Sequence, residues 1–171
     1  MTTTEHGAIR RAAEALAYAG MPECAERIQV LNADARTAAQ AAAAVGVDVG
    51  AIANSLVFVA SSVDRPDTPL LAMTSGAHRA DTGILARLIG ADKVDKAGSD
   101  FVLAHTGQII GGVAPVGHPA PIRTLVDRTL AGYPVIWAAA GHPMAVFPTT
   151  FEQLVELTGG TPAVLSAHAP S

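Results

Sequence analysis

The residues best suited to chemistry lie in segment 106–119, TGQIIGGVAPVGHP, which presents backbone more than side chains. Its central glycines permit close approach of another molecule, and its prolines fix φ and stiffen the loop. The N–H groups of a stiff exposed loop can bind an anion or a developing oxyanion. The alternative is a simple turn between strands, the commoner role of a Gly/Pro cluster. The residues in question are Gly111, Gly112, Gly117, Pro115 and Pro119.

The sequence lacks the residues that several common enzyme chemistries require. Gly112 and Gly117 have the glycine spacing of a phosphate-binding loop, but His118 and Pro119 replace the required Lys and Ser/Thr. No dinucleotide-binding motif follows a strand, and no serine occupies a nucleophile elbow. The histidines are not at metal-ligand spacing, so neither a metal nor a cofactor is expected. They are His6, His78, His105, His118, His142 and His168.

Two histidines and the single cysteine each have two interpretations. His118 follows the glycine loop and His142 lies in a turn; each is either an exposed loop residue or a polar group at a pocket rim. Cys24 is interpreted as a small packing residue rather than a nucleophile. A single cysteine excludes an internal disulfide and fits a reducing compartment.

Length and composition predict one domain over residues 1–171, with 50% hydrophobic but only 4% aromatic residues. The net charge of −4 argues against broad non-specific nucleic-acid binding, although it leaves room for a local basic patch. No signal peptide or uninterrupted apolar span is found, so a cytoplasmic protein without membrane contact is expected.

The hydrophobic pattern interleaves helices and strands irregularly. Thr37 with Gln40, and Thr149 with Glu152, are predicted capping boxes. Segment 122–128 is predicted to be a short surface helix. Other helices are predicted at 5–19, 37–46, 81–90 and 99–105 (capped by Ser99), and strands at 27–31, 51–60, 70–74, 135–140 and 144–147. This order predicts an α/β (α+β) fold, in which helices surround a mixed, strongly curved sheet or partial barrel.

Four segments resemble, in order and content, the YbaK/ProX-like family of aminoacyl-tRNA editing domains. That family includes prolyl-tRNA synthetase-associated editing proteins and Cys- and Ala-tRNA deacylases. The glycine loop matches the family's Gly-x-x-x-Pro loop with its trailing glycine, and the likeness extends from the Thr37 helix to the last capped helix. The segments are AIANSLVF at 51–58, TSGAHRAD at 74–81, GGVAPVGH at 111–118 and GHP at 141–143.

The resemblance implies a trans-acting deacylase that hydrolyses the ester between an incorrect small amino acid and the terminal adenosine of tRNA. Its partners would be the 3′ end of an aminoacyl-tRNA and a synthetase. The loop backbone would hold the ester, and the neighbouring ribose hydroxyl would help to activate water. The implied catalytic residues are Asn54, Gly111, Gly112, Val113 and Ala114. The implied substrate-binding residues are Ile52, Ser75, His78, Pro115, Gly117, His118 and His142.

The chain departs from the family pattern at two positions. Asn54 stands where the family typically has a lysine, so the site keeps hydrogen-bonding capacity but lacks that positive charge. Ala139 stands near the position of a serine found in some relatives. These departures favour, as the alternative to a deacylase, a non-catalytic module that binds an aminoacyl-adenosine-like ligand. A purely structural interaction domain is a third possibility.

Overall fold

The computed structural model describes residues 1–32 and 35–167. His168 and the rest of the C-terminal tail lie outside the described residues. The helices are α1 Thr3–Tyr18, α2 Pro22–Glu26, α3 Ala38–Val45, α4 Thr82–Ile89, α5 Ser99–Thr106 and α6 Phe151–Thr158. The strands are β1 Gln29–Val30, β2 Ile52–Ser62, β3 Arg65–Ser75, β4 Lys93–Lys96, β5 Arg123–Asp127, β6 Ile136–Ala139, β7 Ala145–Thr149 and β8 Thr161–Ala163.

All eight strands join one mixed sheet in the order β1-β7-β6-β2-β3-β5-β8, and β4 also pairs with β2. The pairs β2–β6, β3–β5 and β5–β8 are parallel, whereas the others are antiparallel. The predicted fold class, a mixed sheet surrounded by helices, is confirmed, and the sheet does not close into a barrel. None of the helices in the described ranges has the length and hydrophobicity needed to cross a membrane.

The β2–β3 hairpin forms the centre of the sheet and divides the core between its two faces. On one face Val57, Leu71 and Met73 pack in the largest hydrophobic cluster, to which α1 and the glycine loop also contribute. The other face is covered by α3 at one end and α4 at the other. Because side chains alternate along a strand, Asn54 lies on this second face, opposite Thr74 in the hairpin.

The predicted surface helix at 122–128 is wrong. Residues 123–127 form β5, which lies between β3 and β8, and a 3-10 helix follows at Arg128–Gly132. Thr124, Leu125 and Val126 are all buried, as expected for a parallel strand covered on both faces. Pairing with residues far away in the sequence has overridden the local helical pattern.

Smaller predictions are corrected at element ends. The strand predicted at 27–31 is limited to the exposed residues Gln29 and Val30. The capping box of the last helix uses Thr150 and Gln153, one residue beyond the predicted pair. Gly98 rather than Ser99 precedes α5, and it provides no side-chain cap. The capping box of Thr37 and Gln40 is confirmed.

Candidate active site

A cleft of about 300 Å³ opens where β6 separates from β2. Asn54 from β2, Gly111 from the glycine loop and Ala139 from β6 line it together. The structure thus brings three positions that the sequence singled out into one cavity, although they lie far apart along the chain. Its apolar wall is formed by α3 and the adjoining strands, with Ala38, Ala41, Ile52, Trp137 and Val146.

Asn54 is half-buried and offers its carboxamide to this cleft. Its side chain makes no hydrogen bond to another residue of the described ranges, so both the oxygen and the NH₂ group can bind a ligand. Thr74, its neighbour across the hairpin, is 1% exposed, and its hydroxyl is likewise without a partner among the described residues. The polar groups at this point of the sheet are not used to hold the fold together.

The side chain of Gln108 forms two hydrogen bonds to the backbone of the glycine loop. Its Oε1 accepts a hydrogen bond from Ala114 N at 2.7 Å, and its Nε2 donates to Val116 O at 3.1 Å. Gly112 N donates to Ile109 O at 3.2 Å in a tight turn. The N–H groups of Gly112 and Ala114 therefore already have hydrogen-bond partners inside the loop, contrary to the expectation that the whole loop presents free donors.

The donors left in this part of the loop belong to Gly111 and Val113. Neither N–H has a hydrogen-bond partner within residues 1–32 and 35–167, and Gly111 lines the cleft. Gly111 has φ +88°, a left-handed conformation that favours glycine. Gln108 was missed from the sequence, since nothing in an isolated glutamine shows that it will reach two loop backbone groups.

The second half of the loop faces another cavity, of about 420 Å³, against α1. Pro115, Gly117 and His118 line this cavity together with Ala15 and Tyr18. The loop therefore has two faces, and these three predicted substrate-binding residues do not line the cleft that contains Asn54.

His118 is held against the loop that precedes it. Its Nε2 lies 2.8 Å from the carbonyl oxygen of Ala114, to which a ring N–H donates. Burial lowers the pKa of His118, and the hydrogen bond to Ala114 opposes this effect. The neutral imidazole is therefore favoured in the folded protein.

This lowered pKa predicts a measurable pH dependence of stability. In the unfolded chain the pKa of His118 is about 6.5. Below this pH the unfolded chain binds a proton more readily than the folded protein does, so the free energy of unfolding falls as the pH falls. His118→Gln keeps a donor for Ala114 O but does not titrate. We expect its unfolding free energy to decrease less than that of the wild type between about pH 7 and pH 5. Denaturant unfolding across this range tests the prediction, and equal slopes would contradict it.

His142 is a buried residue of the β6–β7 turn, not an exposed loop histidine. It is 5% exposed; its Nδ1 accepts a hydrogen bond from Met144 N at 3.1 Å, and its Nε2 lies 3.5 Å from a carboxylate oxygen of Glu5 in α1. Its backbone also packs directly against Gly112. His142 thus joins α1, the turn and the glycine loop at one point.

Ser75 and His78 belong to a buried polar cluster organised by Asp127. One carboxylate oxygen, Oδ2, accepts from Ser75 N at 3.0 Å and lies 2.5 Å from His78 Nε2, and Oδ1 accepts from Thr129 N at 3.0 Å. The Ser75 hydroxyl donates to Gly50 O at 2.7 Å. Neither Ser75 nor His78 lines the cleft. Asp127 was missed because its segment was assigned to an exposed helix.

Cys24 lies in another part of the core. It is 2% exposed, and its Sγ is 3.9 Å from Thr149 Oγ1. Burial raises the pKa of the thiol, which disfavours the nucleophilic thiolate. Among the described residues no three His, Cys, Asp or Glu side chains come together as ligands for a metal ion.

Asn54 of the open mixed sheet and Gly111 of the glycine loop therefore line one cleft, which has an apolar wall. A family model described as the aminoacyl-tRNA editing domain matches residues 32–157, which include every residue of the cleft. The chain belongs to the aminoacyl-tRNA editing domain family.

Solved structures agree with this assignment. One, described as a candidate trans-editing enzyme for prolyl tRNA synthetase, is 40% identical, with a TM-score of 0.83 over 93% of this chain and 96% of that chain. A scaffold protein from computational epitope grafting is 39% identical, with a TM-score of 0.83 over 93% and 97%. A hypothetical protein is 26% identical, with a TM-score of 0.77 over 91% and 98%. Comparison with the curated proteins gave no match.

Proposed function

We propose that this chain is a trans-acting deacylase, acting as a single domain, that hydrolyses the ester of a tRNA carrying the wrong small amino acid. The observation that carries the proposal is the shared cleft. It is lined by Gly111, by an apolar wall and by Asn54, whose carboxamide has no hydrogen-bond partner among the described residues. Membership of the editing family and the 40% identity to a candidate trans-editing enzyme support the substrate class. Such an enzyme would act in the cytoplasm.

The reaction needs little side-chain chemistry because an aminoacyl ester is already activated. Water adds to the ester carbonyl, the bond to the ribose oxygen breaks, and that oxygen takes the proton, releasing the amino acid and deacylated tRNA. The free N–H group of Gly111, which lines the cleft, would stabilise the oxyanion. One such donor typically contributes ~3 kcal/mol of transition-state stabilisation. The adjacent ribose hydroxyl would orient the attacking water.

Asn54 would donate from its NH₂ group to the substrate carbonyl or to the terminal adenosine. A carboxamide hydrogen-bonds without supplying the positive charge of the family's lysine, so its contribution is weaker than that of a charged donor. Ser75, His78, His118 and His142 would act indirectly, because their contacts hold the strands and the loop that form the cleft.

The cleft would select its amino acid by size. A wall of alanine, isoleucine, valine and tryptophan side chains excludes large residues, whereas one methylene group is discriminated by only ~1–3 kcal/mol. A small side chain is therefore the expected substrate. The net charge of −4 favours few contacts to tRNA phosphates, so a synthetase partner would assist delivery.

Deacylation of a panel of mischarged tRNAs tests this function. We expect release of at least one small amino acid above the uncatalysed rate, and no comparable release of large ones. A correctly folded protein that releases none of them would contradict the proposal.

Asn54→Lys should raise the deacylation rate about tenfold, because a cation at position 54 stabilises the developing negative charge of the reacting ester by ~1–2 kcal/mol more than a carboxamide does. Asn54→Met is the control, since it has a similar length and no charge, and it should lower the rate. Unchanged kinetics in Asn54→Lys would show that charge at this position does not limit catalysis.

The second candidate function is a module that binds an aminoacyl-adenosine-like ligand without hydrolysing it. Asn54 and Ala139 both line the cleft. They stand in place of the lysine typical of the family and near the position of a serine found in some relatives, and this favours the binding module. Saturable binding of an amide-linked aminoacyl-adenosine analogue, together with no turnover of any ester, would decide for this function.

A further inference from the structure

Strand β2 has an unfilled gap along the edge that faces away from β3. At its beginning Ile52 and Ala53 pair with β6, and further along residues 58–61 pair with β4. Between these two partners no described strand pairs with β2 on this side. The gap lies in the cleft, which is lined by Ala53, Asn54 and Ser55 as well as by Gly111.

The hydrogen bonds on either side of the gap show which main-chain groups face it. Gly76 N donates to Ile52 O at 2.8 Å, so Ile52 faces β3, whereas Ala97 N donates to Val57 O at 3.2 Å from the opposite side. Main-chain groups alternate in direction along an antiparallel strand, and the pairing with β3 runs without a shift from Ala53 to Ala60. The N–H and C=O of Ser55 therefore both point into the gap.

No other described residue fills these bonds. The Ser55 main chain has no hydrogen bond outside its strand ladders within residues 1–32 and 35–167, and β6 and β4 stop on either side of it. Its hydroxyl lies 3.4 Å from Met73 Sδ, so the side chain is turned toward a core residue of β3. A main-chain donor and acceptor left open at the surface of a cleft are available to a ligand that reproduces the missing strand bonds.

We propose that the main chain of Ser55 binds the aminoacyl group of the substrate as if it were one residue of a missing strand. The inference rests on the proposed function. An aminoacyl ester has an α-ammonium group and a carbonyl oxygen in the arrangement of a strand residue's N–H and C=O. Ser55 C=O accepts from the ammonium group, and Ser55 N–H donates to the carbonyl oxygen, providing an oxyanion donor on the strand side of the cleft.

The size of the gap selects this ligand over a peptide strand. Among the residues that the structure describes, Ser55 alone on this edge of β2 has neither main-chain group paired, because Ala53 pairs with β6 and Val57 O accepts from Ala97 N. A peptide added to the sheet edge would need a longer unpaired run. One amino acid joined to a bulky nucleoside matches a gap of one residue.

Amide hydrogen exchange followed by NMR tests the inference directly. In the free protein the Ser55 amide should exchange at least tenfold faster than those of Asn54 and Leu56, whose N–H groups face β3. A saturating amide-linked alanyl-adenosine analogue should slow Ser55 exchange at least tenfold. A Ser55 amide already as protected as that of Leu56, an analogue that does not bind, or binding without this protection would each overturn the inference.

A pair of variants tests the same group by kinetics. Ser55→Pro removes the N–H, which is tolerated where that N–H faces away from a strand ladder, whereas Ser55→Ala keeps it. We expect the kcat of Ser55→Pro to be ~100-fold below that of Ser55→Ala, as for loss of an oxyanion-hole donor. Equal kcat values would overturn the inference and leave the deacylase intact. If the wild type hydrolyses no ester, the proposed function fails, and the exchange experiment alone decides the role of Ser55.

Discussion

Gly112→Ala should destabilise the protein by ~3 kcal/mol, because the added methyl group has no space. An ideal Cβ at Gly112 would lie 2.6 Å from the carbonyl carbon of His142, and 2.7 Å from both its Cα and the nitrogen of Pro143. All three atoms are backbone, so no side-chain rotation relieves the clash. Overpacking typically costs ~1–3 kcal/mol, and contact with fixed backbone falls at the upper end.

The melting temperature should therefore fall by roughly 6–12 °C, at ~2–4 °C per kcal/mol for a domain of this size. Deacylation should fall more than stability alone explains. The loop is forced away from the β6–β7 turn, and a displacement of ~1 Å at a reacting group costs ~100-fold in rate. Thermal unfolding and kcat/KM measured below the melting transition separate the two effects.

Gly132→Ala is the matched control. A Cβ at Gly132 would meet no atom within 4 Å, and the residue does not have positive φ. The melting temperature and the kcat/KM of Gly132→Ala should stay close to those of the wild type. A Gly112→Ala protein as stable and active as Gly132→Ala would show that the loop does not depend on this close approach.

The turn conformation of the glycine loop, with positive φ at Gly111 and Gly117, could be predicted because it depends on local residue types. Clustered glycines and prolines define a stiff backbone surface wherever the loop lies, and the Thr37–Gln40 cap likewise depends on neighbouring residues. The β2–β3 hairpin followed from two apolar runs separated by a short polar turn. In each case the determining interactions lie within a short stretch of sequence.

Neither the hydrogen bonds within the loop nor the gap in β2 could be predicted. The first depend on the folded path of the loop, and the second depends on pairing between strands that are distant in the sequence. Gln108 selects which loop N–H groups stay free through its contacts with Ala114 and Val116. The open edge at Ser55 exists only because β6 and β4 share one side of β2, and no local pattern encodes that arrangement. The misassigned β5 segment has the same cause: its five residues are a strand because β3 and β8 flank them.

Asp127→Ala is the other change with a large expected effect, a loss of ~3–5 kcal/mol, because three groups lose their hydrogen-bond acceptor and each unsatisfied buried group costs ~1–3 kcal/mol. Asp127 is 1% exposed and holds three groups at once: Ser75 N, His78 Nε2 and Thr129 N. Alanine leaves all three unsatisfied in the interior. The corresponding fall in melting temperature is roughly 6–20 °C.

Two further variants distinguish the lost hydrogen bonds from the lost charge. Asp127→Asn keeps the size and one acceptor oxygen, but its NH₂ group must face a donor, so an intermediate loss of stability is expected. Asp64→Ala removes a carboxylate whose side chain is 86% exposed, and it should change the free energy of unfolding by less than ~0.5 kcal/mol. Equal stabilities of Asp127→Ala and Asp64→Ala would contradict a structural role for the cluster.

The same variant connects the buried cluster to the cleft. Asp127 fixes Ser75, which pairs with Ala53, the residue before Asn54 on β2. Loosening Ser75 therefore disturbs the strand that carries both Asn54 and the Ser55 main chain. We expect the folded fraction of Asp127→Asn to bind the alanyl-adenosine analogue about tenfold more weakly than the wild type, equivalent to ~1.4 kcal/mol. Wild-type affinity in a measurably destabilised Asp127→Asn protein would show that the cluster supports the fold without positioning the cleft.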